Sequence, residues 1–214
     1  MDKTCLDKSN VPTDAVNLLQ IKILYWGPGE AGKTTNFHRL KEYFKEYLIS
    51  EGYSVETSNH RTLWNDSIHL RFYVKSISLV VIVILTTTTG QKRFLSTREY
   101  ILQNTDGVIF VADSTRKKIS ENIRSFQELT TLIGNRDIPL LILLNKRDIM
   151  DRISVAELAS ALDIPSLSKN SLKECENQII YTSIANRPKN SGDVQLIFMD
   201  LLQKILEKQL MNKL

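Results

Sequence analysis

The residues of this chain with the clearest chemical character lie at positions 27–34. The segment reads Gly-Pro-Gly-Glu-Ala-Gly-Lys-Thr and satisfies the pattern G-x-x-x-x-G-K-[ST], directly after an apolar run typical of a buried strand. In such a loop, backbone N–H groups surround phosphate oxygens, the lysine spans the β- and γ-phosphates, and the final hydroxyl can ligate Mg²⁺. The spacing predicts a nucleoside triphosphate site, with Lys33 as a catalytic residue and Thr34 as a Mg²⁺ ligand. The residues expected to bind the nucleotide here are Gly27, Gly29, Glu30, Ala31, Gly32, Lys33, Thr34 and Thr35.

A second polar segment, Asn145-Lys146-Arg147-Asp148, predicts which base is bound. It follows the apolar run at 140–144 directly, and ligands of open α/β sheets bind in the loops after strand ends. The Asp148 carboxylate can accept hydrogen bonds from N1–H and the exocyclic amine of guanine, whereas adenine has no matching pair of donors. We expect Asn145 to brace the neighbouring loops and Lys146 to lay its stem across the base or ribose. The two motifs together predict GTP and GDP as the nucleotides.

The periodicity of the chain predicts the elements that must position these residues. Short β-branched runs alternate with segments of helical spacing, which indicates an α/β fold. We expect the three layers of a P-loop NTPase fold, with about six mostly parallel strands and about five helices. The expected strands lie near residues 21–26, 69–74, 77–86, 107–112, 140–144 and 179–182.

The expected helices carry apolar residues at helical spacing. The first follows the glycine loop, and its apolar face would consist of Phe37, Leu40, Phe44 and either Tyr47 or Leu48. Further helices are expected at 119–133, at 155–162 and along 194–205. The polar stretches 52–64 and 163–177 follow neither period, so we expect connecting loops there.

The order of the motifs resembles that of the Ras-superfamily small GTPases over nearly the whole chain. Within that superfamily, four segments resemble the bacterial mutual-gliding (MglA-like) branch, which is itself akin to Arf-type GTPases. The segments are 25–29 (Tyr-Trp-Gly-Pro-Gly), 33–36 (Lys-Thr-Thr-Asn), 60–63 (His-Arg-Thr-Leu) and 106–114 (Asp-Gly-Val-Ile-Phe-Val-Ala-Asp-Ser). The resemblance implies a molecular switch that hydrolyses GTP and has two nucleotide-sensing loops, switch I near 52–64 and switch II near 86–99.

The resemblance also implies roles for residues in the switch loops and beside the base. Thr62 would be the switch I threonine that senses Mg²⁺ and the γ-phosphate, and Gly90 would offer its N–H to that phosphate. Gln91 would be the catalytic residue that orients the attacking water. The last guanine-side loop would consist of Ser183, Ile184 and Ala185.

Two positions bear on the rate of hydrolysis. Most small GTPases carry an aspartate three residues before the switch II glycine, where this chain has Thr87. A neutral hydroxyl holds a Mg²⁺-bound water less firmly than a carboxylate does, although the mutual-gliding branch shares this departure. Arg61 could act as a catalytic arginine finger supplied in cis, or it could be a surface arginine of the loop.

The residues leave two other functions open. Thr87 favours a binding module that holds GTP or GDP and recruits partners with little or no hydrolysis. An ATP-using P-loop kinase is the third possibility, but Asp148 conflicts with adenine and no acceptor-substrate site is evident. We expect a GTPase whose turnover is slow without an activator.

The composition limits the classes of binding partner and the cellular compartment that we expect for this chain. The net charge is +4 and the basic residues are scattered, which argues against nucleic acid as the main ligand. The longest apolar run, 79–85, is far shorter than the roughly 20 residues of a membrane-spanning helix. We expect a cytoplasmic protein with reduced cysteines. The family resemblance implies effectors and regulators as partners, including dimeric activators of the roadblock type.

The remaining expectations concern the two ends of the chain. Residues 1–19 would form an N-terminal extension, and residues 20–214 would form the small GTPase (G) domain. Neither end matches a myristoylation or prenylation motif, so we expect at most transient membrane association. Its source would be the apolar residues Val11, Val16, Leu18 and Leu19. The alternative for this segment is an edge strand or a packed extension.

Overall fold

The centre of the fold is one mixed β-sheet with helices on both faces. A computed structural model describes residues 6–7, 17–51, 66–88, 95–164, 179–186 and 192–211. Within these residues the strands are β1 (Leu6–Asp7), β2 (Asn17–Trp26), β3 (Leu48–Glu51), β4 (Ser67–Val74), β5 (Leu79–Thr87), β6 (Gly107–Asp113), β7 (Leu140–Asn145) and β8 (Ile180–Thr182). The helices are α1 (Lys33–Tyr43), α2 (Leu95–Gln103), α3 (Ile119–Ile133), α4 (Val155–Ala161) and α5 (Gly192–Met211).

The strand order brings the predicted functional loops to one edge of the sheet. The strands pair in the order β1-β4-β5-β2-β6-β7-β8, and β3 also pairs with β4. Strands β2, β5, β6, β7 and β8 run parallel, so their carboxyl ends meet at one edge, called the carboxyl edge below. Because β4 is antiparallel to β5, its first residues lie at that same edge, where Ser67 pairs with Thr86.

Alternation along the strands sends side chains into two apolar layers. On β2, Ile21, Ile23 and Tyr25 face one layer, whereas Leu24 and Trp26 face the other, and all five are almost completely buried. Side chains of α1 and α5 fill the first layer, and those of α2, α3 and α4 fill the second. Burial of large apolar side chains contributes about 1.5–3 kcal/mol each, so both layers hold the strand ends in fixed relative positions.

The predicted α/β class with helices on both faces of a mostly parallel sheet is confirmed. All six predicted strands occur, with small shifts at their ends. The sequence pattern does not predict β1 and β3, because two- and four-residue strands give too little alternation to recognise. It also does not locate α2, whose sequence has only a weak apolar stripe. The predicted loop at 52–64 and most of the predicted loop at 163–177 lie outside the described residues.

The predicted extension of the first helical face to Tyr47 or Leu48 is wrong. Helix α1 ends at Tyr43, and Tyr47 lies in a 3-10 turn, with its ring 5.0 Å from that of Phe72. Leu48 begins β3, where it pairs with Leu70 of β4. Pairing with a neighbouring strand therefore decides the conformation here, and local spacing alone could not show it.

The described N-terminal residues belong to the sheet. Strand β2 begins at Asn17, which pairs with Leu79, so residues 17–19 of the predicted extension continue this strand. Leu18 is exposed on it, whereas Leu19 packs against the core. Among the described residues, no helix is both long enough and apolar enough to cross a membrane.

Candidate nucleotide-binding site

The loop between β2 and α1 is a tight turn with little room for side chains. Gly27 and Gly32 have φ angles of 150° and 96°, which residues with side chains rarely adopt. A Cβ atom at Gly27 would collide with the carbonyl oxygen of Val111, and one at Gly32 would collide with the side-chain amide of Asn145. Both glycines are therefore required by the close approach of β6 and of the end of β7.

Lys33, the first residue of α1, points back into this loop. Its ammonium group donates to the carbonyl oxygens of Gly27 at 2.9 Å and Pro28 at 2.7 Å, and the side chain is buried. The first turn of α1 contains no acidic residue, and Gly32 at its N-cap provides no side-chain hydrogen bond. A buried cation beside the positive end of a helix attracts an anion with several oxygens, such as a phosphate chain.

Glu30 of the loop lies beside a cation, and two threonines, Thr34 and Thr35, begin α1 after Lys33. Glu30 adopts a φ of 65°, and its carboxylate lies 3.8 Å from the amine of Lys118. A hydrogen bond to Glu121 is the main cause that raises the pKa of Lys118, so this lysine stays charged beside the loop. The side chain of Thr34 is half-buried and that of Thr35 is exposed.

Asn145, the last residue of β7, connects three loops. Its side-chain nitrogen donates to the carbonyl oxygen of Ala31 at 2.9 Å, and its side-chain oxygen accepts from the Ser183 hydroxyl at 3.0 Å and the Ala185 N–H at 3.2 Å. Arg39 of α1 donates to the carbonyl of Ala185 at 2.9 Å. Asn145 is 2% exposed, so water does not compete for these hydrogen bonds. The amide therefore fixes the phosphate loop, the end of β7 and the loop after β8 relative to one another.

Lys146 forms an ion pair with a buried aspartate at the end of the neighbouring strand. Its amine lies 2.7 Å from a carboxylate oxygen of Asp113, which is 1% exposed. The other carboxylate oxygen accepts from the N–H and hydroxyl of Thr115 at 2.8 and 2.7 Å. Asn122 of α3 holds the Asp113 backbone through one donated and one accepted hydrogen bond. This network fixes the direction of the Lys146 side chain, whose backbone has a left-handed φ of 63°.

The segment after Asn145 is a turn that is held by the loop after β8. The Ile149 N–H donates to the Lys146 carbonyl at 3.2 Å, and the Arg147 N–H donates to the Ser183 carbonyl at 3.2 Å. Burial lowers the pKa of the Arg147 guanidinium, and repulsion from the neighbouring Arg152 lowers it further. Asp148 lies half-buried in this turn, beside the loop after β8. That loop contains the other predicted base contacts, Ser183, Ile184 and Ala185.

The last residue of β5, Thr87, and the residue before β4, Asp66, lie side by side at the carboxyl edge. The Thr87 N–H donates to the Asp66 carbonyl at 2.9 Å, and the Asp66 N–H donates to the Thr87 hydroxyl at 3.2 Å. Thr88 donates to the carbonyl of Tyr25, just before the phosphate loop, through its N–H at 3.0 Å and its hydroxyl at 3.1 Å. Asp66 is 2% exposed, and neither of its carboxylate oxygens has a hydrogen-bond partner among the described residues.

Similarity to known proteins identifies the family. The model of the ADP-ribosylation factor (Arf) family matches residues 14–197 of the chain. The chain belongs to the Arf family of small GTPases. It is also 33% identical over 162 residues to the mutual gliding-motility protein MglA of Myxococcus xanthus (strain DK1622), and the match covers 68% of this chain and 76% of that protein. The predicted resemblance to the MglA-like and Arf-like GTPases is confirmed, and the protein is a GTP-binding molecular switch with the general GTPase activity of its family.

This Arf-family GTPase brings most of the predicted contact residues to the carboxyl edge. They are Gly27, Gly29, Glu30, Ala31, Gly32, Lys33, Thr34, Thr35, Asn145, Lys146, Asp148, Ser183, Ile184 and Ala185. The predicted residues Arg61, Thr62, Gly90 and Gln91 lie outside the described residues.

Sequence reasoning missed three polar residues of this Arf-family site, namely Asp66, Asp113 and Asn122. The carboxylate of Asp113 follows the predicted strand at 107–112 directly, which is a signal that could have been used. Asp66 shows no such signal, because its importance depends on the antiparallel pairing of β4 with β5. Asn122 lies on the helix that follows β6, and only packing shows that it faces Asp113.

The donor chemistry of the Arf-family site fits a magnesium ion bound together with phosphate. The described residues contain no group of three or more His, Cys, Asp and Glu side chains that could enclose a metal. Mg²⁺ in nucleotide sites does not require one, because phosphate oxygens and waters fill most of its octahedral shell beside one or two protein oxygens. Among the described residues, the candidate for such an oxygen is the Thr34 hydroxyl, and the buried Asp66 carboxylate is a candidate acceptor for a metal-bound water.

Proposed function

We propose that this protein binds GTP with Mg²⁺ at the carboxyl edge and hydrolyses it to GDP, with slow turnover until an activating partner binds. The observation that supports this most strongly is the connection of the phosphate loop, the 145–148 turn and the loop after β8 through the buried Asn145 side chain. Loops held in this way present their phosphate and base contacts before the nucleotide arrives. Preorganisation of this kind lowers the cost of binding and of stabilising the transition state.

In this proposal the phosphate chain lies over the N-terminus of α1. Lys33 exchanges its hydrogen bonds to the Gly27 and Pro28 carbonyls for bonds to the β- and γ-phosphate oxygens, which carry full negative charge. The backbone N–H groups of the loop donate to the same phosphates. Mg²⁺, when bound, neutralises charge that develops on the β- and γ-phosphate oxygens. Thr34 and, from switch I, Thr62 would hold this ion through their hydroxyl groups.

The base lies between the turn at 145–148 and the loop after β8. Asp148 accepts from the two guanine donors, and the backbone N–H groups of 183–185 face the base oxygen. Lys146 covers the base or ribose with its stem while its amine stays paired with Asp113. ATP would present an acceptor and no donor pair to Asp148, so we expect it to compete with GTP only weakly.

Hydrolysis is an in-line attack of water on the γ-phosphate. Gln91 orients the water, and Arg61 supplies positive charge to the transition state from within the same chain. Both lie in the proposed switch segments, residues 52–64 and 86–99, of which the second includes the end of β5 and the start of α2, and we propose that these segments respond to the γ-phosphate.

Single-turnover phosphate release with and without Mg²⁺ tests the proposal. We expect Mg²⁺-dependent release by the wild type and loss of release in Gln91→Leu, with GDP binding unchanged in that variant. Release at the uncatalysed background, together with tight GTP binding, would show a binding module instead. Preference for ATP over GTP in a competition experiment would refute the assignment of Asp148.

The remaining parts of the proposal concern organisation and partners. We propose an N-terminal extension over residues 1–19, whose described residues 6–7 and 17–19 join the sheet, and a G domain over 20–214. We also propose a cytoplasmic location with at most transient membrane association, and effectors selected by the switch segments. A dimeric roadblock-type protein is the proposed activator, in keeping with the family resemblance. Its addition should increase the single-turnover rate of the wild type, and no increase with such a protein would refute this part.

A further inference from the structure

The carboxylate of Asp66 is buried in a way that the fold alone does not explain. Asp66 is 2% exposed, and neither carboxylate oxygen has a hydrogen-bond partner among the described residues. Burial of a charged group without hydrogen-bond partners costs several kcal/mol. Natural proteins therefore keep such groups where a bound water or ion supplies the missing interaction. Asp113, which is buried to the same extent, shows the usual pattern, with hydrogen bonds from Thr115 and Lys146.

The position of Asp66 suggests which group interacts with its carboxylate. Its backbone exchanges two hydrogen bonds with Thr87, the residue that replaces the switch II aspartate of most small GTPases. Thr87 in turn pairs with Tyr25, which lies two residues before Gly27, the first residue of the phosphate loop. Asp66 is thus fixed at the carboxyl edge, two strands from the end of β2.

The distance to the phosphate loop suits a contact through water. Strands lie about 4.8 Å apart, so two spacings amount to roughly 10 Å between backbones. An aspartate side chain, a hydrogen-bonded water and a Mg²⁺ ion with ligands at about 2.1 Å together span a distance of that order. The Thr87 hydroxyl, one strand nearer, already accepts a hydrogen bond from the Asp66 N–H.

We propose that Asp66 holds a Mg²⁺-bound water and so supplies the carboxylate that position 87 lacks. This inference rests on the proposed binding of GTP and GDP with Mg²⁺. Asp66 is a positioning residue in this role, since it acts on the ion through water. Thr87 fixes the Asp66 backbone through two hydrogen bonds, one from its N–H to the Asp66 carbonyl and one from the Asp66 N–H to its hydroxyl.

The test is the Mg²⁺ dependence of nucleotide release in the full chain. The dissociation rate of a fluorescent GDP analogue is measured over a Mg²⁺ titration and in excess EDTA. In Asp66→Asn we expect the Mg²⁺ concentration at the midpoint to rise about tenfold to a hundredfold, because residues that orient metal-bound ligands contribute factors of that size. The rate in EDTA should stay the same, since the phosphate loop is unchanged.

Asp106→Asn is the matched control. Asp106 lies just before β6, at the opposite edge of the sheet, where its carboxylate accepts from the Lys22 N–H at 2.7 Å and the Gln209 amide at 3.2 Å. This variant removes an aspartate charge from the same sheet, and its Mg²⁺ midpoint should equal that of the wild type. A general loss of charge or stability would shift both variants alike and would overturn the assignment.

A compensating substitution tests the proposal even if Asp66→Asn folds poorly. Asp66→Asn combined with Thr87→Asp returns a carboxylate to the position that most small GTPases use, and its Mg²⁺ midpoint should lie within about threefold of the wild type. A folded double variant that responds no better to Mg²⁺ than Asp66→Asn would contradict the proposal, and so would an unchanged midpoint in Asp66→Asn. Absence of any GDP binding by the wild type would instead refute the proposed function.

Discussion

Replacement of Asn145 by alanine tests whether one buried amide holds the nucleotide site together. The change removes three hydrogen bonds, to Ala31, Ser183 and Ala185, in a position that is 2% exposed. A buried hydrogen bond contributes about 0.5–1.5 kcal/mol net, so we expect a loss of about 3 kcal/mol in the free energy of unfolding. Because the same bonds orient the phosphate loop and the base loop, the Kd for GDP should rise about tenfold to a hundredfold.

Urea unfolding at several GDP concentrations separates these two effects, because ligand linkage reports affinity independently of intrinsic stability. The control is Asp106→Ala, which removes two hydrogen bonds at the opposite edge of the sheet and should lower stability without changing the Kd for GDP. Asn145→Asp keeps the oxygen that accepts from Ser183 and Ala185 but turns an oxygen towards the Ala31 carbonyl, so it should also bind GDP weakly. If Asn145→Ala binds GDP as tightly as Asp106→Ala does, the amide is only a stability residue and the reasoning is refuted.

Three further predictions follow from other parts of the fold. Lys33→Ala loses a charge-assisted interaction of about 1.5–3 kcal/mol with the phosphates, so its Kd for GTP should rise at least tenfold in fluorescence titrations. Ser154→Ala removes the capping box of α4 and should lower the free energy of unfolding by about 1 kcal/mol, with GDP binding unchanged. Hydrogen bonds from Arg116 and the Ser154 N–H lower the pKa of Glu157 from 4.5 to about 2. The stabilisation from this carboxylate is fully present near neutral pH and is lost as the pH falls from 4.5 through about 2, so Glu157→Gln should be less stable than wild type at pH 7, with a much smaller difference at pH 2. Because Glu157 is exposed, salt should also reduce the difference.

Local sequence was sufficient for the phosphate loop and for most strands. The glycines at 27 and 32, the lysine at 33 and the apolar run before them act over a few residues, so their spacing predicts a strand, a turn and a helix start. The strands of the central sheet are long, apolar runs, which explains why their positions were predicted with small errors. The end of α1 was not predicted correctly, because the helix gives way to β3, and β3 forms only when Leu48 pairs with β4.

By itself, the sequence determined the chemistry that is available to this GTPase: a phosphate loop, a carboxylate suited to guanine and a threonine where an aspartate is usual. The tertiary structure decided which other side chains meet these residues. Asp113 reaches Lys146 because β6 pairs with β7, and Asp66 lies beside Thr87 because β4 pairs with β5. Contacts between residues 21 or 33 positions apart depend on strand pairing and on burial on both faces of the sheet, and no local pattern encodes them.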